Sequence, residues 1–250
     1  MKAPTGSTTR QRGRVRVEDG KKRLRVYFGG PLVADTTRPL LVWEKPAYPA
    51  YYLPEADVRM ELLSPDGGVV HSPSRGDAET FTVRAGGREA AGAALRYGHS
   101  PFEELRDAIR LEWNAMDAWF EEDEQVFTHP RDPYTRVDIL PSSRHIRIET
   151  GGETIAETTK PTLLFETGLR TRYYLPKTHV RMDLLTPSET VSHCPYKGVA
   201  EYWSLRVGNE VRADVAWSYR TPLPESQKVA GLLSFYPEKV DLYVDGILET

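Results

Sequence analysis

The chain has 250 residues, of which 28% are charged and 39% hydrophobic, with a formal net charge of −3. That size suits one large domain or two small ones, and the composition is that of a globular protein rather than a disordered one. The near-neutral charge supplies no field to gather nucleic acid, no apolar run approaches the ~20 residues of a bilayer-spanning helix, and the single cysteine, Cys194, excludes an internal disulfide or a multi-cysteine zinc site.

The N-terminal stretch carries Lys2, Arg10, Arg12, Arg14 and Arg16 with no acidic residue, and it predicts a flexible basic tail over residues 1–13. Met1 to Ser7 has no apolar stretch of the kind a secretory leader needs, so a reducing cytoplasm is the expected location. Leu24 to Phe28 alternates in the manner of a strand and ends at Gly29-Gly30. Leu40-Leu41-Val42-Trp43 is a continuous apolar run, fit for a strand buried on both faces, and Glu44 follows it. Val58 to Leu63 predicts another strand, closed by Ser64-Pro65. Ser100-Pro101-Phe102-Glu103 combines an N-cap serine, a first-turn proline and a capping-box glutamate, and Phe102, Leu105, Ile109 and Trp113 follow at helical spacing. The acidic run from Glu103 to Glu124 reads as a solvated helix face and turn, and Trp119-Phe120 as a closing strand. Thr128 to Pro133 is polar with two prolines and marks a linker.

Beyond that linker the pattern starts again. Tyr51-Tyr52-Leu53-Pro54 recurs as Tyr173-Tyr174-Leu175-Pro176, an offset of 173 − 51 = 122. The same offset carries Arg59-Met60-Glu61-Leu62-Leu63 onto Arg181-Met182-Asp183-Leu184-Leu185, and Ala34 to Pro39 onto Ala156 to Pro161. It also carries Gly29-Gly30 onto Gly151-Gly152, Tyr97 onto Tyr219 and Val15 onto Val137. Such a period is far longer than that of a solenoid repeat, so this is a duplicated domain. The expected boundaries are a tail over 1–13, a first β domain over 14–127, a linker over 128–135 and a second β domain over 136–250. In the second copy Ile146 to Ile148, Leu163-Leu164-Phe165, Val180 to Leu185 and Leu242-Tyr243-Val244 repeat the strand signals, while Pro222-Leu223-Pro224-Glu225 predicts a later and shorter helix.

Chemistry concentrates in the second copy. Glu166 ends an apolar run, as Glu44 does in the first, and a carboxylate there is costly unless paired. An arginine such as Arg181 or Arg59 is one expected partner. The alternative is a polar anchor or general acid/base facing a pocket, its pKa raised by burial. His193-Cys194-Pro195-Tyr196-Lys197-Gly198 sets a thiol beside an imidazole and near a lysine, which is the surrounding of a nucleophile. Adjacent strand residues face opposite ways, however, and a buried structural thiol is the competing reading. The first copy has His71-Ser72-Pro73-Ser74-Arg75-Gly76 there, without the thiol. Trp203, Trp217 and Tyr219, with Tyr173 and Tyr174, are expected to line a ligand cavity or to pack a core. Their counterparts beside Glu44 include Tyr52 and Tyr97. There is no Walker A loop, dinucleotide-binding glycine fingerprint or Gly-x-Ser-x-Gly elbow, and the six histidines lack ligand spacing, so no cofactor and no metal are expected.

In these residues the chain resembles the bacterial family defined by the domain of unknown function 427. The motifs that carry the resemblance are Glu166, Tyr173 to Pro176, Val180 to Leu185, Ser192 to Gly198, Ala200 to Trp203, Ala216 to Tyr219 and Phe235 to Val240. They cover nearly all of the second copy and, more loosely, the first. The resemblance implies a mainly β fold, two tandem β-tent-like domains of packed antiparallel sheets, each here with one short helix. Related tents clamp their sheets with a cysteine-bound zinc, which the single cysteine leaves without ligands. The resemblance implies no settled activity, and no phosphate loop or metal-binding carboxylate pair supports the nucleotidyltransferase label attached to the family. Three functions follow as expectations. The first is a small-molecule-binding protein that holds its ligand between the sheets, in an aromatic-lined pocket of the second copy, with Glu166, Tyr173, Tyr174, His193, Lys197, Trp203, Trp217 and Tyr219 at the site, and Glu44, Tyr52 and Tyr97 at its first-copy counterpart. The second is an enzyme using Cys194 as nucleophile or Glu166 as general acid/base. The third is an interaction protein built as a pseudo-two-fold pair of domains within a monomer. A small organic ligand is the expected partner, and neither membrane nor nucleic acid is.

Overall fold

The computed structural model describes residues 10–12, 15–208 and 210–249. Residues 1–9 and 13, most of the expected basic tail, lie outside them. Arg10–Arg12 form a short strand against Val15–Asp19. The chain divides into two compact units, Met1–Asp132 and Pro133–Thr250.

Each unit is two antiparallel sheets, as the fold expectation has it. In the first, the larger sheet runs in the order Arg10–Arg12, Val15–Asp19, Leu40–Trp43, Ala50–Pro54, Ala108–Leu111, Arg88–Arg96, Gly76–Ala85, Leu63–Ser72. The smaller runs Glu124–Val126, Ala118–Glu121, Leu24–Tyr27, Leu32–Thr36. In the second unit the larger sheet runs Val137–Pro141, Thr162–Glu166, Arg172–Leu175, Leu233–Phe235, Glu210–Tyr219, Gly198–Val207, Leu185–Cys194. The smaller runs Glu153–Thr158, Ile146–Thr150, Asp241–Val244, Ile247–Leu248.

Strand alternation splits the apolar residues of each larger sheet between two faces. In the second unit Leu163, Tyr173, Leu175, Ala216, Leu233 and Phe235 face inward and pack with Ile146, Ile148 and Leu242 of the smaller sheet. Leu164, Tyr174, Trp217 and Tyr219 face the other way and join Ile139, Ala200 and Val229 in a separate cluster. The first unit repeats the division, with Tyr51 and Leu53 in its inter-sheet core and Tyr52 and Tyr97 on the second face. That second face positions the candidate site.

Three local expectations are corrected. Phe102, Leu105, Ile109 and Trp113 do not share a helix. Glu103–Leu105 is a single 3-10 turn, Ala108–Leu111 is a strand between Ala50–Pro54 and Arg88–Arg96, and Trp113–Ala115 is a second 3-10 turn. Ladder hydrogen bonds on both sides of Ala108–Leu111 outweigh the helical spacing, and Ser100 is not the cap: the turn begins after Phe102, whose N–H donates to Ser100 Oγ at 3.2 Å, and no side chain caps it. The second copy's helical turn, Pro224–Val229, is the longer of the two, not the shorter. The pairing explains why: Ile109 opposes Leu53 as Leu233 opposes Leu175, an offset of 233 − 109 = 124 against 122 earlier, so two residues are inserted before it. Finally, Val58 to Leu63 and Val180 to Leu185 are not strands but runs of 3-10 turn, Met60–Leu62 and Met182–Leu184, leading into the long strands at Leu63 and Leu185. Local bonds such as Leu62 N–H to the Arg59 carbonyl at 2.9 Å hold that crossing.

Among the described residues no helix is long and apolar enough to cross a membrane.

Candidate functional site

Register places one set of side chains on the second unit's outer face. Tyr202 opposes Trp217, Trp217 opposes Ser234, Ser234 opposes Tyr174, and Arg172, two residues before Tyr174, opposes Leu164. Ser192 opposes Ala200, and Ala200 opposes Tyr219. With a side-chain period of two, these residues share the face with Cys194 and Glu166.

Bonds knit them together. The Trp217 indole N–H donates to the Tyr174 hydroxyl at 3.1 Å, and the two rings meet edge to face at 6.3 Å. Trp217 also lies against Tyr236 at 4.4 Å between centroids, and Tyr236 stacks on Tyr202 at 6.5 Å. The Tyr202 and Ser192 hydroxyls are 2.7 Å apart. The partner of Glu166 is Lys197, not Arg181 or Arg59. Their ion pair is nearly closed to solvent, with side chains 8% and 11% exposed. Arg181 is instead engaged by Asp183 and Glu153, and Arg59 by Glu61.

Burial dominates the electrostatics of the phenols. It pushes Tyr174 and Tyr219 well above the ordinary value, helped by the negative charge that Cys194 and Glu166 can carry nearby. Tyr236 is raised too, by burial and by its bond with Tyr202. An ultraviolet absorbance titration is expected to show Tyr174, Tyr219 and Tyr52 ionising at higher pH than the exposed phenols, which do so around ~10. The sign follows from linkage. An acid whose folded value is raised leaves stability whole below ~10 and costs stability as pH climbs toward the folded value. Ionisation of all the phenols in step around ~10 would contradict this burial.

The site does not lie between the sheets, where a packed core stands, and not every residue expected at it is there. Trp203 belongs to the opposite face, packing against the inter-sheet core, where its indole N–H reaches Ser218 at 3.4 Å and the Lys177 ammonium sits 4.8 Å over its ring. Tyr173 also turns into that core. His193 is exposed, pairing in register with exposed Val199, while Cys194 one residue on is half-buried. Phe165, expected inside, is exposed. Arg172, Ser192, Tyr202, Ser234 and Tyr236 were not among the expected residues. Strand parity from Tyr174 would have found Arg172, but the others require the register.

The first unit fills the same place differently. Glu44 accepts from the Tyr52 hydroxyl at 2.7 Å, from Arg110 Nε at 2.9 Å and from Arg75. Arg75 stands in the frame of Lys197 (75 + 122 = 197) and lies 4.9 Å over the Tyr97 ring. Ser72, in the frame of Cys194, accepts from Arg75 Nε at 3.1 Å. A hollow of about 220 Å³ opens beside Glu44 and Arg110. Two stacked pairs line it, Tyr48 on His129 at 3.9 Å and Trp113 on Trp119 at 4.5 Å. In the second unit a hollow of about 10 Å³, roughly one water's room, lies beside Arg172 and Tyr173.

No cluster of three or more His, Cys, Asp or Glu among the described residues is arranged to hold a metal ion. No curated protein matches the chain. A family model described as NTP_transf_9, domain of unknown function (DUF427), matches it twice, over residues 16–122 and 138–246.

Proposed function

The chain belongs to the DUF427 family, with two tandem copies of its domain, and from that premise we propose that the second copy binds a small organic molecule on the outer face of its larger sheet. The observation that carries the reading is the aromatic cluster of Tyr174, Trp217, Tyr202 and Tyr236 beside the Lys197–Glu166 ion pair. Amphipathic rings supply flat apolar area with polar rims, and a few fixed polar groups among them set orientation. Lys197 and Glu166 serve as those fixed groups. The proposed ligand set is Glu166, Tyr174, Lys197, Trp217, Tyr219 and Tyr202, in a reducing compartment suited to a protein with one cysteine.

Thermal unfolding of the full chain across a broad metabolite panel tests the reading. A ligand that binds only the folded state raises the melting temperature by mass action. Trp217→Ala is expected to weaken binding of any hit at least about tenfold, the loss of one well-packed aromatic contact, while Cys194→Ser leaves it unchanged. A flat response to the whole panel counts against the proposal.

The place of Cys194 on the same sheet face as Tyr174, Tyr219 and Glu166 favours one second reading, an enzyme with Cys194 as nucleophile. It differs in outcome: turnover of the hit by the native chain, abolished in Cys194→Ser with binding intact. Engagement of Glu166 by Lys197 weighs against that carboxylate as the general base.

A further inference from the structure

Arg172 is set apart from the other half-buried arginines. The guanidiniums of Arg25, Arg96, Arg131 and Arg147 each have a buried Nε without a hydrogen bond, yet each is ion-paired through the group, to Asp123, Glu55, Glu124 and Glu149 respectively. Arg172 has a buried Nη1 without a hydrogen bond and no ion pair to any described residue. Of the nearby carboxylates, Glu166 is engaged by Lys197, Glu238 by Arg170, and Glu249, which lines a small hollow with Arg172, by the Tyr173 hydroxyl. What holds the guanidinium is aromatic: its carbon lies 5.3 Å from the Trp217 ring centroid and 5.8 Å from that of Tyr236. Rings engage the face of a guanidinium and leave its N–H edge to donate, and that edge matches an oxyanion in two parallel bonds.

A second, independent group points to the same place. Ser234 is 1% exposed and its hydroxyl has no hydrogen-bond partner among the described residues. Its register between Trp217 and Tyr174 sets it on the face of Arg172. A buried hydroxyl without a partner is a cost to the fold, so the chain carries two unmet donors on one patch. The first copy holds no such pair, because Ala50 stands in the frame of Arg172 (50 + 122 = 172), and Arg110, which opposes Leu95 as Ser234 opposes Trp217, is bonded to Glu44.

We propose that Arg172 and Ser234 form the anion subsite of the second domain, which holds the carboxylate of a small flat monocarboxylate. The proposal rests on the binding face argued above and names its ligand class. The donors are one guanidinium edge and one hydroxyl, a set that the two oxygens of a carboxylate fill.

Isothermal titration of the full chain with 2-naphthoate, 2-naphthamide and 2-naphthyl phosphate separates the possibilities. The expected result is that the carboxylate binds at least about tenfold tighter than the amide, one charge-assisted bond pair. Arg172→Gln brings the two to the same affinity, and Ser234→Ala weakens the carboxylate several-fold with little effect on the amide. Equal binding of carboxylate and amide to the native chain overturns the subsite and leaves the binding face standing. Tightest binding of the phosphate overturns the monocarboxylate. Binding of none of the three counts against face and subsite together. Thermal unfolding of Arg172→Met without ligand gives a check independent of any probe. An unmet buried donor removed should raise the melting temperature by about 2 °C, whereas a fall would make Arg172 a structural brace and overturn the proposal.

Discussion

Replacing Lys197 with methionine destabilises the second domain by about 3–5 kcal/mol. The substitution keeps the length of the side chain and leaves the Glu166 carboxylate, 8% exposed, without its counter-charge. Removing one member of a buried pair costs more than the pair contributes, because the survivor stays in the low-dielectric interior. The double variant Lys197→Met with Glu166→Leu should therefore recover most of the loss, to within about 1–2 kcal/mol of the native chain. The first copy supplies an internal control. Arg75→Met leaves Glu44 with Arg110 and Tyr52 still bonded to it, so its cost should be smaller, about 1–2 kcal/mol. Denaturant unfolding of the three variants and the native chain decides the matter, and equal losses for Lys197→Met and Arg75→Met would show that the ion pair is not what holds the second site.

Gly86→Ala unfolds or severely destabilises the first domain, whereas Gly208→Ala, at the same frame position of the second, does not. Both glycines have left-handed backbones, with φ of 58° and 57°, so alanine at either costs about 1–2 kcal/mol. They differ in what surrounds them. A Cβ at Gly86 would come within 1.8 Å of the Gly29 carbonyl oxygen, and one at Gly29 within 2.2 Å of the Ala85 oxygen. Around Gly208 and Gly151, their counterparts, nothing stands within 4 Å. Backbone cannot yield as a side-chain tip can, so the first domain should lose more than about 4 kcal/mol, the range reserved for such collisions. Calorimetry would show the first domain's transition lost or displaced for Gly86→Ala, and a shift of a few degrees for Gly208→Ala.

Much of this architecture is legible in the residues. The Tyr-Tyr-Leu-Pro and Arg-Met-acid-Leu-Leu segments recur at one offset because each copy needs the same residue at the same strand position. The paired tyrosines are a parity signal: Tyr173 faces the core and Tyr174 the outer face, because neighbouring strand residues diverge. What the residues conceal is register. Trp203 and Tyr202 are adjacent, and only the pairing of Tyr202 with Trp217 tells which of them shares the site. Residue type favoured the tryptophan; the sheet chose the tyrosine. The partner of Glu166 was ambiguous for a similar reason. A cation recurs in both copies at two places, Arg59 with Arg181 and Arg75 with Lys197, and only folding brings the second of them to the carboxylate. The spacing of Phe102, Leu105, Ile109 and Trp113 misleads because two separate clusters use it. Phe102 and Leu105 cover the outer face, while Ile109 and Trp113 pack into the inter-sheet core.

The outer face of the second domain stands or falls on occupancy. Native mass spectrometry of the full chain, purified without added ligand and compared with Trp217→Ala, reads it directly. An organic adduct carried by the native chain and by Cys194→Ser, and missing from Trp217→Ala, is the predicted result. An adduct that ignores the tryptophan, or bare protein that stays bare after incubation with a cell extract's small molecules, would contradict a ligand on that surface.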